Sequence, residues 1–529
     1  MSTAPWYPTR SHWHTLKEVD MKLTSAQNDR ATGILLGLAT GDALGARYEF
    51  QPPLPDEIAV GMFGGGQLGW EPGEWTDDTA MAIPIARAAA AGLDLRDEAV
   101  LDRIAATWAD WAYDAKDVGI QIGAVIRRAS SPTAAGLREA AVAYSARSHR
   151  SSGNGSLMRV APVALAYLDD PDALVEAATA LSQLTHTHPD AVEACVIWSL
   201  GIRHAVLHGT FDGVRAALGS LPADRAAIWA ERLDEAERNS PTRFNHNGWV
   251  VEALQGAWSA ITRTPVPELD PVIDQYPCGH FAAALETAVR GGRDTDTVAA
   301  IAGGLLGARW GASAVPARWR RVMHGWPGER SGELVRLAAL AVAGGRSDAS
   351  SWPAAPVVDY SAHGDVSSLA AHPRDPGVWL GGVARFEALP DGIDAVVSLC
   401  RVGAPAAAIP RSDHIEVRLV DRDGDNPNLD FVLADAADAV AALRAEGKTV
   451  LLHCVQAISR TPAVGALYSV RHLGVPADEA LAEIQRVLPH AHPIESFRAA
   501  LLAAEGAGSG TPAVSEQSLV GEESLQRLS

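Results

Sequence analysis

Four glycines at four-residue spacing constrain this chain more than any other feature. Gly33, Gly37, Gly41 and Gly45 stud the otherwise aliphatic stretch Arg30-Ala-Thr-Gly-Ile-Leu-Leu-Gly-Leu-Ala-Thr-Gly-Asp-Ala-Leu-Gly. At helical spacing they share one face. Each weakens an isolated helix by roughly 1 kcal/mol relative to alanine, so their repetition calls for the close approach of another backbone.

Two further stretches carry chemistry. Glu74-Trp75-Thr76-Asp77-Asp78-Thr79-Ala80-Met81 and Arg293-Asp294-Thr295-Asp296-Thr297-Val298 each set two carboxylates and two hydroxyls at the mouth of an Ala-rich helical segment. Threonine and aspartate cap helix N-termini, and the helix dipole favours carboxylates there. Facing each other, the two mouths would offer four carboxylates and several hydroxyls, an oxygen cage suited to hard cations such as Mg²⁺ or Mn²⁺.

Alanine-rich helical periodicity continues over 80–92, 98–115, 119–129, 171–184, 190–207, 223–238, 249–263, 280–290, 296–310 and 331–343, with little β-branched alternation. Residues 1–29 read as an N-terminal arm, 30–343 as an all-α domain and 344–374, rich in Ser, Pro, Gly and Asp, as a linker. Beyond it short strands (Val378-Trp-Leu, 395–400, 415–420, 449–454) alternate with helices over 429–446, 460–473 and 477–487. A small α/β domain over 375–505 follows from that pattern, and residues 506–529 read as a disordered tail. Four cysteines in 529 residues, without close metal-type pairing, fit a reducing compartment. The net charge of −20 argues against wholesale nucleic-acid or anionic-membrane binding, and no apolar run approaches the roughly 20 residues of a membrane span. A cytoplasmic location is expected.

Gly41-Asp42-Ala43-Leu44-Gly45 with Glu49, the Trp75–Thr79 run, Gly153-Asn154-Gly155-Ser156-Leu157-Met158-Arg159, Thr185-His186-Thr187-His188-Pro189 and Asp294–Thr297 occur in one order. Together they resemble the ADP-ribosylglycohydrolase family over roughly residues 30–343. The resemblance implies a hydrolase that removes ADP-ribose from its targets with two Mg²⁺ (or Mn²⁺) ions held by Thr76, Asp77, Asp78, Asp294, Asp296 and Thr297. Such ions grip a ribose diol, act as a Lewis acid at C1″ and lower the pKa of bound water. Glu49 matches the acidic residue beside the metals, a candidate base or gate, and Asp117 resembles a second acid at the ribose. Gly153, Asn154, Gly155 and Ser156 would offer backbone N–H groups to the diphosphate. Histidine is a softer ligand than a carboxylate cage wants, and the resemblance instead puts His186 at the ADP-ribose. Arg293 stands where small residues are usual, and is expected to point to solvent.

His453-Cys454-Val455-Gln456-Ala457-Ile458-Ser459-Arg460-Thr461 follows an apolar strand and opens a helix. Its Cys-x₅-Arg frame resembles the phosphate loop of dual-specificity cysteine phosphatases. The resemblance implies an activated Cys454 thiolate as nucleophile, Arg460 gripping phosphate oxygens, and Ser459 assisting thiolate departure. Asp423 is the favoured leaving-group acid, ahead of Asp421 and Asp425. Ala457 replaces the glycine usual mid-loop, which strains the loop if φ there is positive.

The expected protein is a two-domain enzyme acting on ADP-ribosylated proteins or small-molecule conjugates, with a phosphorylated substrate at the second domain and nucleic acid left open as a target. Two rivals are an ADP-ribose reader without turnover and a phosphatase whose helical domain only docks substrate.

Overall fold

The computed structural model describes residues 22–148, 151–403 and 408–505. The tail over 506–529 and most of the N-terminal arm lie outside the described residues. The arm ends earlier than its expected boundary at 29, because helix α1 runs over Ser25–Gly45. Thr24 and Gln27 form a capping box at its start, satisfying backbone donors that the first turn otherwise leaves open.

The helical part continues through α2 (Asp77–Ala90), α3 (Glu98–Asp114), α4 (Ile120–Arg128), α5 (Ala134–Ser145), α6 (Val163–Ala166), α7 (Pro171–Gln183) and α8 (Pro189–His208). After these come α9 (Gly213–Ala216), α10 (Ala223–Arg238), α11 (Val250–Arg263), α12 (His280–Arg290), α13 (Thr295–Trp310), α14 (Ala317–Val322) and α15 (Ser331–Val342). Between α14 and α15 lies a hairpin of β1 (His324–Gly325) and β2 (Glu329–Arg330). Helix α5 has no counterpart in the expected pattern.

The glycine ridge explains how these helices meet. Helices α1 and α13 run antiparallel with their backbones in contact. A Cβ on Gly33 would lie 2.3 Å from the Gly307 carbonyl oxygen, one on Gly37 2.2 Å from that of Gly303, and one on Gly41 1.9 Å from that of Ala299. No side chain fits at those separations, so the pair packs only because α13 is itself small-residue-rich opposite the ridge. The pairing fixes the C-terminal end of α1 beside the N-terminus of α13, which brings Asp42 to the Asp294–Thr297 stretch.

The second part holds β3 (Leu369–Ala371), β4 (Val378–Gly381), α16 (Ala384–Glu387), β5 (Ala395–Ser398), β6 (His414–Glu416), α17 (Leu429–Ala445), β7 (Val450–His453), α18 (Arg460–Leu473), α19 (Ala477–Val487) and α20 (Glu495–Ala503). The sheet order is β3-β4-β7-β5-β6, parallel except for β3 at the edge. Beside the single turn of α16, two elements depart from expectation. Strand β3 lies inside the stretch read as linker, and α20 closes the domain where no helix was foreseen. The linker is also packed, with Trp352 buried beneath the Arg401 guanidinium.

The two parts interlock. Ala434 joins the helical core, and Ala317 joins the core of the sheet. Asp29, buried near the start of α1, accepts from the Ser313 N–H (3.1 Å) and hydroxyl (2.6 Å). Arg418 of the second part approaches the same carboxylate at 3.4 Å. Arg320–Asp435 (3.0 Å), Arg321–Asp413 (2.9 Å) and Arg336–Glu416 (2.9 Å) pair across the same boundary. Among the described residues no helix is long and apolar enough to cross a bilayer, and all four cysteines are free and buried.

Candidate functional site

At the end of the α1–α13 pair the carboxylates converge. Asp42 Oδ1 accepts from the Thr76 N–H (2.8 Å), and its Oδ2 accepts from the N–H (2.9 Å) and hydroxyl (2.6 Å) of Thr79. Asp42 thus caps α2 from another helix and releases the N-cap side chain. Thr76 makes no cap bond of its own, and its hydroxyl donates instead to Asp78 Oδ2 (3.0 Å). At the second mouth Asp294 is the N-cap of α13 and likewise makes no side-chain cap bond. Side chains that usually satisfy the helix are here turned to something else.

Oxygens of Asp42, Asp78 and Asp296 lie within 4.8 Å of one another, and so do oxygens of Glu49, Asp294 and Asp296. Asp296 belongs to both groups. Asp78 Oδ1 and Glu49 Oε2 are buried without a hydrogen-bond partner. An unanswered buried carboxylate oxygen is strongly disfavoured, and a hard divalent cation is the group such oxygens fit. The acidic residues present can therefore hold metal. The site opens on a cleft of about 1010 Å³ lined by Glu49, Asp77, Asp117, Gly153, His186, Asp294, Asp296 and Thr297, among others.

Burial, reinforced by neighbouring carboxylates, raises these acids. Burial and then Asp294 push Glu49 up to about 9, and burial lifts Asp42 to about 6. Asp77, Asp78 and Asp296 stand well above the ordinary carboxylate range for the same first cause, and Asp117 and Asp294 are raised too. An acid whose folded pKa is raised holds more protons folded than unfolded, so stability falls as pH rises between the two values. For Glu49 that window runs from 4.5 to about 9. The metal-free protein should accordingly lose Tm steadily across that range in a calorimetric series, and saturating Mg²⁺ should flatten the slope.

Glu49 is held by a backbone clasp. The Phe50 N–H donates to the Arg293 carbonyl (2.6 Å) and the Arg293 N–H to the Gln51 carbonyl (2.7 Å). Phe50 and Arg293 both take left-handed φ, 65° and 69°, a conformation that costs of order 1–3 kcal/mol in a non-glycine residue. The Arg293 side chain is exposed, as expected.

The other expected site residues are placed as follows. Asp77 lies outside both carboxylate trios and accepts from the Gly119 N–H (3.3 Å), toward the half-buried Asp117. Asn154 Nδ2 donates to the Asn247 carbonyl (2.9 Å) and to Asp294 Oδ2 (2.8 Å), so its side chain orients a carboxylate, while its backbone N–H donates to the Gly248 carbonyl (3.2 Å). Ser156 is buried against Cys195 Sγ (3.5 Å), away from the cleft. Gly153 and Gly155 do line it. His188 is the helix-capping histidine, accepting from the Asp190 N–H (3.2 Å), whereas His186 is buried at the cleft wall. Asp42 and Glu49 are the carboxylates of the trios to which the sequence assigned no metal role. The signal for Asp42 lay in its flanking glycines, which put it at the helix contact.

In the second part Cys454 follows β7 and is buried, and Arg460 opens α18. Arg460 Nη1 donates to the carbonyls of Leu399 (2.9 Å) and Leu419 (3.2 Å), while its buried Nε lacks a hydrogen-bond partner. Ala457 takes φ 58°, the strained conformation its methyl makes unfavourable. Ser459 Oγ accepts from the Ile494 N–H (3.3 Å). Asp423, the favoured acid, is exposed and accepts from the Ser496 N–H (2.9 Å) in the first turn of α20. Asp421 instead stands 3.5 Å from Arg460 Nε. The sequence favoured Asp423 without showing that the first turn of α20 engages it.

The family model described as ADP-ribosylglycohydrolase matches residues 23–349. The chain is 30% identical over 306 residues to the ADP-ribosyl-[dinitrogen reductase] glycohydrolase of Rhodospirillum rubrum, covering 55% of this chain and 89% of that protein. It is 29% identical over 294 residues to the ADP-ribosylarginine hydrolase Tri1 of Pseudomonas putida, covering 55% and 73%. A crystal structure of human DUSP28 is similar at 24% identity and a TM-score of 0.24, over 26% of this chain and 93% of that one. With its carboxylate trios at the end of an antiparallel helix pair and a family match spanning the whole helical part, the chain belongs to the ADP-ribosylglycohydrolase family.

Proposed function

We propose that the helical part hydrolyses the C1″ glycosidic bond of ADP-ribosylated targets with a pair of Mg²⁺ (or Mn²⁺) ions held by Asp42, Glu49, Asp78, Asp294 and Asp296. The observation that carries this reading is the pair of trios sharing Asp296, with two orphaned oxygens, on the wall of a nucleotide-sized cleft. When bound, the ions polarise the sugar diol and stabilise charge developing at C1″. The chain's own residues do the rest. Gly153 and Gly155 let the backbone approach the diphosphate, Asn154 holds Asp294 in place, and Glu49 can take a proton from the attacking water through the carboxylate oxygen it does not give to a cation. The Pseudomonas putida relative is an ADP-ribosylarginine hydrolase, so arginine-linked ADP-ribose is the first conjugate to try. In a panel of conjugates, wild type with Mg²⁺ should release ADP-ribose from at least one, and chelation should stop it. Tight binding of ADP-ribose with no release from any conjugate would make the protein a reader instead.

The Cys454 loop supports a second, cysteine-dependent phosphatase activity through a phosphocysteine, with Arg460 on the phosphate and Asp421 as leaving-group acid. Cys454→Ser should abolish hydrolysis of an aryl phosphate, and Asp421→Asn should slow it about 100-fold, the scale of general acid catalysis. Asp423→Asn should leave the rate within about threefold, since an exposed cap at α20 is worth only about 1 kcal/mol of stability. Equal losses in both aspartate variants would refute the assignment of Asp421.

A further inference from the structure

The cleft wall holds a donor and an acceptor that the protein leaves unanswered. Behind it, Arg159 is 1% exposed, with its guanidinium 4.0 Å from the Trp108 ring centroid. Its Nη2 donates to Thr185 Oγ1 (2.6 Å) and to the Leu181 carbonyl (3.3 Å). Burial pulls the Arg159 pKa down to about 9, which leaves it charged near neutrality. An arginine only donates, so the Thr185 hydroxyl keeps its own proton to give, and its neighbour is His186 Nδ1 at 2.8 Å.

Were Nδ1 protonated, that hydroxyl hydrogen would be stranded. Among the described residues Thr185 Oγ1 has no other hydrogen-bond partner, and Thr185 is 0% exposed. The relay Arg159→Thr185→His186 therefore makes Nδ1 an acceptor and puts the ring proton on Nε2. Burial, then Arg159, hold the ring neutral by pressing its pKa well below the usual value.

His186 Nε2 lies beside Gly153, where a built Cβ would be 3.4 Å from it and 3.6 Å from Gln121 Oε1. The Gln121 amide is oriented by Nε2 donating to the Thr185 carbonyl (2.9 Å), which turns Oε1 the other way. That oxygen is buried with no partner, and Gln121 is 8% exposed. Gln121, Gly153 and His186 all line the cleft. The group that suits an N–H and a C=O aimed past the same missing side chain is one that both accepts and donates. A hydroxyl does so; a phosphate oxygen would be repelled by Gln121 Oε1, and an ammonium by His186 Nε2–H.

We propose that Gln121 Oε1 and His186 Nε2–H clamp a single sugar hydroxyl of the ligand, with Arg159 and Thr185 as positioning residues that set the histidine tautomer. The clamp rests on the reading of the cleft as an ADP-ribose site. Its test is calorimetric binding, in Mg²⁺, of ADP-ribose and of analogues each lacking one ribose hydroxyl, to wild type, Gln121→Met, Thr185→Val and Thr185→Ser. One analogue should bind wild type about 10- to 100-fold more weakly than ADP-ribose, the range for orphaning buried polar partners. Gln121→Met and Thr185→Val should bring that analogue and ADP-ribose within about threefold, and Thr185→Ser should keep the discrimination. In the ligand-free protein, ¹⁵N NMR should show His186 as the Nε2–H tautomer, mixed in Thr185→Val and restored in Thr185→Ser. An Nδ1–H signature, or discrimination unchanged in Gln121→Met, would overturn the clamp while leaving the ADP-ribose reading intact. Failure of wild type to bind ADP-ribose at all would overturn that reading and the clamp together.

Discussion

Asp296→Asn should leave a folded protein that melts higher than wild type without divalent cations, yet releases ADP-ribose at least about a thousandfold more slowly with them. The rate loss follows from Asp296 being common to both carboxylate trios. Removing its charge weakens both cation positions at once, and several kcal/mol of transition-state stabilisation amounts to roughly three powers of ten or more. The gain in stability follows from the same crowding. Asp296 is raised by burial first and then by Glu49, Asp78, Asp294 and Asp42, so an uncharged amide relieves strain that no cation is present to offset. For a domain of this size a gain of ~1 kcal/mol raises Tm by on the order of 2 °C. Mg²⁺ should raise the Tm of wild type and barely move the variant. A variant that keeps magnesium-dependent turnover would show that the trios are not the catalytic centre.

Gly41→Ala should be among the most damaging single substitutions in the chain, although it adds one methyl group and improves helix propensity. That methyl would sit 1.9 Å from the Ala299 carbonyl oxygen and 2.3 Å from its carbonyl carbon. Those are rigid backbone atoms in the middle of α13, so relief requires two helices to separate. Overpacking of this kind usually costs about 1–3 kcal/mol and more where nothing yields; here about 3–5 kcal/mol is expected against the ~1 kcal/mol returned by propensity. Gly219→Ala, where nothing lies within 4 Å of the added carbon, is the control and should change stability by less than about 0.5 kcal/mol. Urea midpoints for the two variants decide the matter. Similar midpoints would mean that the helix contact is looser than it looks.

How far the sequence alone reached can be judged from these same elements. The ten helices expected between residues 80 and 343 all form within three residues of their expected ends, because their apolar periodicity is long and regular. Helix α5 escaped notice because Gly136, Arg138 and Glu139 interrupt a short Ala-rich run, and its packing against α3 and α4 supplies what the pattern lacks. The start of α1 is legible in Thr24-x-x-Gln27, upstream of the glycine ridge. Strand β3 is three residues long and intermediate in burial throughout, too brief to show alternation.

The candidate site divides along the same line. The carboxylates beside helix mouths could be read from residue type and position, whereas Asp42 sits inside a helix and gains its role only when α1 meets the start of α2. The motif marked the Gly153–Ser156 loop for its backbone N–H groups, but a motif does not say which of them the fold itself engages: that of Asn154 goes to the Gly248 carbonyl. In the Cys454 domain the sequence ranked Asp423 ahead of Asp421, and only the fold shows Asp423 engaged by α20 and Asp421 beside Arg460.

The interlocked boundary bears on how the two halves can be handled. Asp29 is buried some thirteen residues before Asp42 on the same helix, and Arg418 is its approaching cation. A chain cut within 344–368 would strip that countercharge and leave Arg320, Arg321 and Arg336 without Asp435, Asp413 and Glu416. The disturbance would then enter at the root of the rod whose tip carries the carboxylate cage. Isolated halves should therefore be judged by their own melting curves before any loss of turnover is attributed to the missing partner.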